Sequence, residues 1–414
     1  MAEIRPFKAI RPQVEHVAEM AALPYDVYTR QEAKKAVAGR PLSFLNIDRP
    51  ETAFSADADM YAPEVYESGA DYLKKLQKEG YYQSEESPAY YLYELTMKGR
   101  SQTGLVACSA ISDYENDIIK KHENTLKAKE EDRIRHITAL GAQTGPIFLA
   151  YKGVEAMKGL QEEIKQTQTP LYEFSDADEV RQRIWLIDEP ETVAKITSIF
   201  EEIPATYIAD GHHRAASAVA VGKKLREENP EHTGKEEYNY FLSVLFAADE
   251  LEIMDYNRVI KRSVGLTEDE TMAKLLEKFT LLKSASEPLK PEKKGQVALF
   301  IGEEWYLLEE KSDYVLSGPV DGMDVSYLQR EVLGPIFGIE DPKTDKNISF
   351  VGGIKGLKEL EKQVKEGALC AFGMYPTSMT ELLAVADGGL LMPPKSTWFE
   401  PKLLSGIFIH SLTD

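Results

Sequence analysis

With 414 residues the chain is too long for one ordinary hydrophobic core, and two or three domains are expected. Its 69 acidic against 49 basic residues leave a net charge of -20 with no Lys/Arg-rich arm, which argues against nucleic acid as a partner. A composition of 43% hydrophobic and 29% charged residues excludes wholesale disorder, and the two cysteines, Cys108 and Cys370, stand too far apart for a zinc knuckle.

The first residues, Met1 to Pro6, are polar, so no signal peptide is read there. No run is long and uncharged enough for a bilayer, and a cytoplasmic protein without a membrane partner is expected. Short apolar runs beside prolines, up to Leu23-Pro24-Tyr25-Asp26-Val27, predict strands and turns, because proline blocks helix interiors and ladder donors. From Tyr61 to Gly80 the spacing of Val65, Tyr72, Leu73 and Leu76 predicts a helix. Tyr90 to Thr96 and Thr103 to Ser109 predict a strand pair about a Lys98-Gly99-Arg100 turn. Further strands are expected at 148–151, 184–187 and 206–208, then at 297–301, 305–308 and 368–372. The alternation with helices is an α/β (mixed α+β) signature. Three regions are drawn: an N-terminal α/β region, 1–155; a middle region, 156–265; and a C-terminal α/β region, 266–414.

The sharpest local pattern is Thr206-Tyr207-Ile208-Ala209-Asp210-Gly211-His212-His213-Arg214-Ala215-Ala216. A β-prone run ends at Asp210, glycine permits a tight turn, and an alanine-rich helix follows. The start of a helix exposes unpaired N–H groups and partial positive charge, which suits an anion. Arg214 adds a planar fork for phosphate oxygens and the histidines add groups that titrate near neutrality. Asp210 could bind a cation, orient a histidine or act as a base; the alternative is an N-capping aspartate among ordinary turn residues.

Three further clusters stand out. His122-Glu123-Asn124-Thr125 precedes Asp132-Arg133, and if that stretch is helical, Asp132 and His136 share one face. Pro393-Pro394-Lys395-Ser396-Thr397, within Met392 to Lys402, offers a stiffened approach, a point charge and two hydroxyls, which suits a phosphate or carboxylate. Tyr25 and Asp26, with Asp48-Arg49-Pro50-Glu51, place polar groups beside prolines, which structural turns would also explain.

Asp210 to Ala215 resembles the Asp-Gly-His-x-Arg turns of the ParB/sulfiredoxin-like superfamily. The whole chain resembles the prokaryotic family known as domain of unknown function 1015. That second likeness rests on Arg5 to Pro12, Pro24 to Val27, Ser43 to Leu45, His122 to Thr125 with Asp132-Arg133, Asp210 to Arg214, and Met392 to Lys402. The resemblance implies a ParB/sulfiredoxin-like core at 156–265 with added α/β regions on both sides. It implies phosphate contacts from Gly211, His213 and Arg214, and a metal-assisted or base role for Asp210 and His212. With the other clusters, the expected site has phosphate or nucleotide contacts from Gly211, Arg214, Arg133, Lys395, Ser396 and Thr397, and catalytic roles for Asp210, His212, His213 and Glu123. Tyr25, Asp26 and His122 would contact substrate, Asp210 would hold a metal, and Mg²⁺ with ATP or ADP would be the cofactors. His212 stands where sulfiredoxins carry cysteine, so sulfinic-acid repair is not expected; no basic helix-turn-helix follows, so chromosome partition is not either.

The expectation is a phosphoryl-transfer enzyme, kinase or phosphatase, acting on a small hydroxylated metabolite, with serine or phosphoserine first, and compatible with a homodimer. The alternatives are a metal-dependent hydrolase using Asp210, His212, His213, His122 and Glu123, and a nucleotide-binding regulator without turnover.

Overall fold

The computed structural model describes residues 1–413. The fold is mixed α/β, with the chain divided into two compact units: Met1–Leu251 with the segment from Pro401 onward, and Glu252–Glu400. Among the described residues no helix is long and apolar enough to cross a membrane.

The first unit is built on a nine-stranded sheet. Its central strands, Tyr90–Met97, Arg100–Ala110, Ile147–Tyr151 and Tyr240–Ala247, are buried over most of their length, hence their nearly unbroken apolar sequence. Thr206–Asp210 runs antiparallel to Ile147–Tyr151 on one side and parallel to the two-residue strand Ile119–Lys120 on the other. A region boundary at 155 therefore cuts through one sheet: strands 181–187, 206–210 and 240–247 pair with strands that precede it. Pairing across sequence, invisible to periodicity, sets the unit.

That register decides what meets at one end of the sheet. The parallel strand 119–120 delivers residues 121–126 to the end where Thr206–Asp210 finishes. The antiparallel strand 147–151 begins at the same end, which brings Thr144-Gly145-Pro146 beside the turn. The helix Lys127–Leu140 then packs beside His212–Glu228, and the Ser217 hydroxyl donates to the Glu130 carbonyl at 3.1 Å.

The second unit is a six-stranded antiparallel sheet in the order 279–285, 304–310, 296–301, 368–374, 256–261, 348–352. Helix Leu357–Lys365 lays Leu360 and Val364 on it, against Val259, Phe300, Trp305 and Ala371. Here Glu310 is pushed up to about 8, by burial first and then by Asp324, against the opposing pull of Lys294 and Arg330. Asp324 is pushed up to about 6, again by burial first, with Glu381 raising it further and the Gly295 N–H and Lys294 opposing. Both folded values lie above the unfolded ones, so the unfolded chain releases its protons first and this unit loses stability as pH climbs from about 4 to about 8. Glu310→Gln should accordingly raise the melting temperature more near pH 8.5 than near pH 5, by roughly a few degrees. Equal shifts at both pH values would refute the assignment.

Candidate functional site

The turn at 210–214 owes its shape to Gly211. Its φ of +98° is a left-handed conformation that side chains resist, and a Cβ there would stand 3.0–3.1 Å from Nε, Cζ and Nη2 of Arg214. Glycine thus lets the guanidinium fold back over the helix start. The N-cap is Gly211 itself, which has no side chain to offer the first N–H groups of that helix. Arg214 Nη1 donates to the Pro146 carbonyl and Nη2 to Asp210 Oδ2 at 3.2 Å, while Nε is buried with no hydrogen-bond partner. Arg214 is only 9% exposed, although it stands at a helix start.

Asp210 serves the two cations beside it. Its Oδ2 lies 3.2 Å from Arg214 Nη2 and 3.7 Å from Lys402 Nζ. Two positive neighbours on one oxygen make Asp210 a poor ligand for Mg²⁺, and the metal role given to it does not fit this arrangement. Nor do Asp210, His212, His213, His122 and Glu123 assemble as a hydrolase ligand set: among the described residues no three His, Cys, Asp or Glu side chains converge as a metal group.

The histidines divide into two kinds. His122 and His212 are buried edge to face, with ring centroids 4.4 Å apart, and the His122 N–H approaches His212 Nε2 at 3.5 Å. Burial pushes His122 down to about 4 and His212 well below its ordinary value, the latter with help from His122. Burial disfavours the charged form of both rings, so His212 does not supply the titration near neutrality expected of it. His213 is half-buried and accepts the Leu126 N–H on Nε2 at 2.9 Å, so the neutral ring carries its proton on Nδ1. Glu123 is half-buried in the same 121–126 loop.

Because the folded pKa of His122 lies below its unfolded value, its contribution to stability is intact above pH 6.5 and is lost as pH falls towards about 4. The loss should be on the order of 3 kcal/mol. Urea titrations of the wild type and of His122→Phe at several pH values between 7.5 and about 4.5 test this; the variant should lose roughly 3 kcal/mol less than the wild type, the remaining loss belonging to the other buried histidines, His136 and His212. Parallel losses would remove His122 as the cause.

Two neighbouring pockets share Tyr25 and Arg133. One, of about 30 Å³, is lined by Tyr25, Arg133, His136, Thr144, Arg214 and Ser405 among others. The second, of about 280 Å³, has Tyr25 and Arg133 in its wall as well, with Asp26, Arg49, Glu51 and Tyr66. The second approaches the volume of a small-molecule site, while the first has room for a group of a few atoms. Between them Arg133 lies over the Tyr25 ring at 3.8 Å and pairs with Asp132 at 2.8 Å, and the Tyr66 hydroxyl donates to the other oxygen of Asp132 at 2.8 Å. On the same face of that helix His136 meets the Ile47 carbonyl at 3.0 Å and lies 3.8 Å from Asp48; burial, reinforced by Arg133, holds it down to about 4.

Sequence reasoning thus reached Tyr25, Asp26, Arg133 and Arg214 in the pocket walls, with His122, Glu123, Asp210, Gly211, His212 and His213 around the turn. It missed Tyr66, Thr144 and Ser405, which arrive on separate elements and carry no local signal. Lys395, Ser396 and Thr397 belong to the second unit. There the Lys395 carbonyl accepts from Arg258 Nη2 at 3.0 Å, and the Ser396 hydroxyl donates to Pro393 at 2.6 Å, which spends the donor expected to face phosphate.

A model of the family described as "Protein of unknown function (DUF1015)" matches residues 4–326. None of the curated proteins matches the chain. Among solved structures, a free serine kinase in complex with AMP is similar at 16% identity over 68% of this chain and 84% of its own, with a TM-score of 0.34. SbnI from Staphylococcus aureus, with a C-terminal truncation, is similar at 13% identity over 72% and 85%, with a TM-score of 0.38. A conserved hypothetical protein from Pyrococcus furiosus is similar at 18% identity over 68% and 87%, with a TM-score of 0.31.

Proposed function

Taking as premise that this chain belongs to the DUF1015 family, we propose that it binds a phosphorylated small molecule at the 210–214 turn and transfers its phosphoryl group. The observation that carries this reading is Arg214: a buried guanidinium in a pocket wall, laid over a helix start whose N-cap is glycine, with Nε unpartnered. A buried donor without a partner costs free energy, and an anion at the turn would relieve that cost.

Phosphoryl transfer asks a protein mainly to position groups and balance charge, and this turn has parts for both. The helix N–H groups and Arg214 would hold phosphate oxygens. Asp210 and Lys402 would keep the guanidinium in place, and His213, with its proton on Nδ1, would donate to a transferring oxygen or take a proton back. Glu123 would orient the acceptor hydroxyl. A Mg²⁺ carried in by a nucleotide such as ATP or ADP would add positive charge when bound; its ligands would come from the phosphates rather than from Asp210. The acceptor is a small hydroxylated metabolite, with serine the first to test.

Phosphorus NMR with Mg²⁺ tests the reading, first with serine and ATP or ADP, then with phosphoserine alone. New phosphoester or inorganic phosphate resonances that vanish in Arg214→Ala support it. Nucleotide binding without turnover would instead make the protein a nucleotide-responsive regulator.

A further inference from the structure

The larger of the two pockets is unlike the one that holds Arg214. Its charges are matched within its own wall: Arg49 Nε meets Glu51 Oε1 at 2.6 Å and Arg133 meets Asp132 at 2.8 Å. What remains is one charge of each sign, Asp26 and Lys129. Arg49 Nη1 is further occupied by the Tyr25 and Tyr28 carbonyls, at 2.8 and 2.7 Å. A wall neutralised in this way offers nothing to a phosphate but suits an uncharged ring with polar edges. The remaining lining is aromatic or soft: Tyr25, Tyr28, Tyr61, Tyr66 and Met60. Tyr61 is 47% exposed, a large ring left open to solvent in a pocket wall. Flat aromatic faces of this kind stack on heteroaromatic rings whatever the ring's identity, and a thioether adapts to their edges.

We propose that this pocket takes the base of a nucleoside phosphate, stacked on Tyr61, while the phosphates pass Arg133 and reach Arg214 in the smaller pocket. Tyr25 and Arg133, common to both walls, mark where the sugar lies. The proposal rests on the phosphate reading of the 210–214 turn and adds the place of the base and the direction of the ligand in the cleft.

Calorimetric titration separates the two. The wild type, Tyr61→Ala and Arg214→Lys are each titrated with adenosine diphosphate and with inorganic pyrophosphate, and melting temperatures are recorded alongside. Tyr61→Ala should weaken the nucleotide about tenfold and leave pyrophosphate unchanged, because its exposed ring supports no core. Arg214→Lys should weaken both ligands. A wild type that binds pyrophosphate as well as it binds the nucleotide overturns the base pocket and spares the phosphate reading, as does a Tyr61→Ala variant with unaltered nucleotide affinity. A wild type that binds neither ligand overturns both. Should Tyr61→Ala lower the melting temperature, Tyr61→Phe keeps the ring, and nucleotide affinity at the wild-type level is then required.

Discussion

Arg214→Ala should weaken binding of a nucleotide or a phosphorylated metabolite by roughly 2–3 kcal/mol, since it removes a charged hydrogen-bond donor from inside a pocket. The same substitution should also lower stability. The Pro146 carbonyl would be left without this donor, Asp210 would lose one of its two cations, and a side chain buried to nine-tenths would leave a gap over Gly211. That part should cost roughly 1–3 kcal/mol. Binding must therefore be measured well below the melting temperature, with denaturant curves run in parallel. A variant that stays folded and binds with wild-type affinity would take the anion site away from this turn.

Asp132→Ala should be the most damaging substitution for the fold of the first unit. Arg133 is buried, and Asp132 leads the effects that hold its charge in place. Removing one partner of a buried pair leaves the other charge uncompensated, typically at 3–5 kcal/mol. About 3 kcal/mol is expected here, because Asp48 also acts on Arg133 and Asp132 keeps some exposure. The double variant Asp132→Leu with Arg133→Met should recover most of that loss, since no buried charge remains, yet it should not recover ligand binding. Urea denaturation of the three proteins decides it. A double variant no more stable than Asp132→Ala would mean that shape, not charge, dominates at this position.

Local sequence carried the turn and little of what surrounds it. Asp210 to Arg214 was legible because glycine at a strand-to-helix switch has a steric reason to be there, and that reason survives in the φ of Gly211. The burial of Arg214 was not legible, because it depends on the missing Cβ of Gly211 and on Pro146, some seventy positions away. His122 reached the turn through a parallel pairing of two residues, too short to leave any periodicity. In the second unit the strands at 296–301, 304–310 and 368–374 announced themselves as apolar runs. Phe279–Ala285 did not, for it is an edge strand whose side chains, apart from Phe279, are mostly exposed. Tyr61 and Tyr66 read simply as helix-forming sequence, and only tertiary packing puts them in a pocket wall.

The return of the chain at Pro401 ties the making of the site to the order of synthesis. Lys402 is the second cation on Asp210, Ser405 lines the pocket of Arg214 and pairs with Ala22, and Ile409 pairs with Ile10. All of 252–400 must leave the ribosome before any of these residues can take its place. A nascent chain halted inside that stretch can form the sheet strands up to 247, but its Asp210 still lacks Lys402 and its first strands lack their last partners. Domains otherwise tend to fold in the order they emerge. Here the unit that emerges first is the one completed last, so the pocket of Arg214 gains its final wall only after the whole of 252–400 has been made.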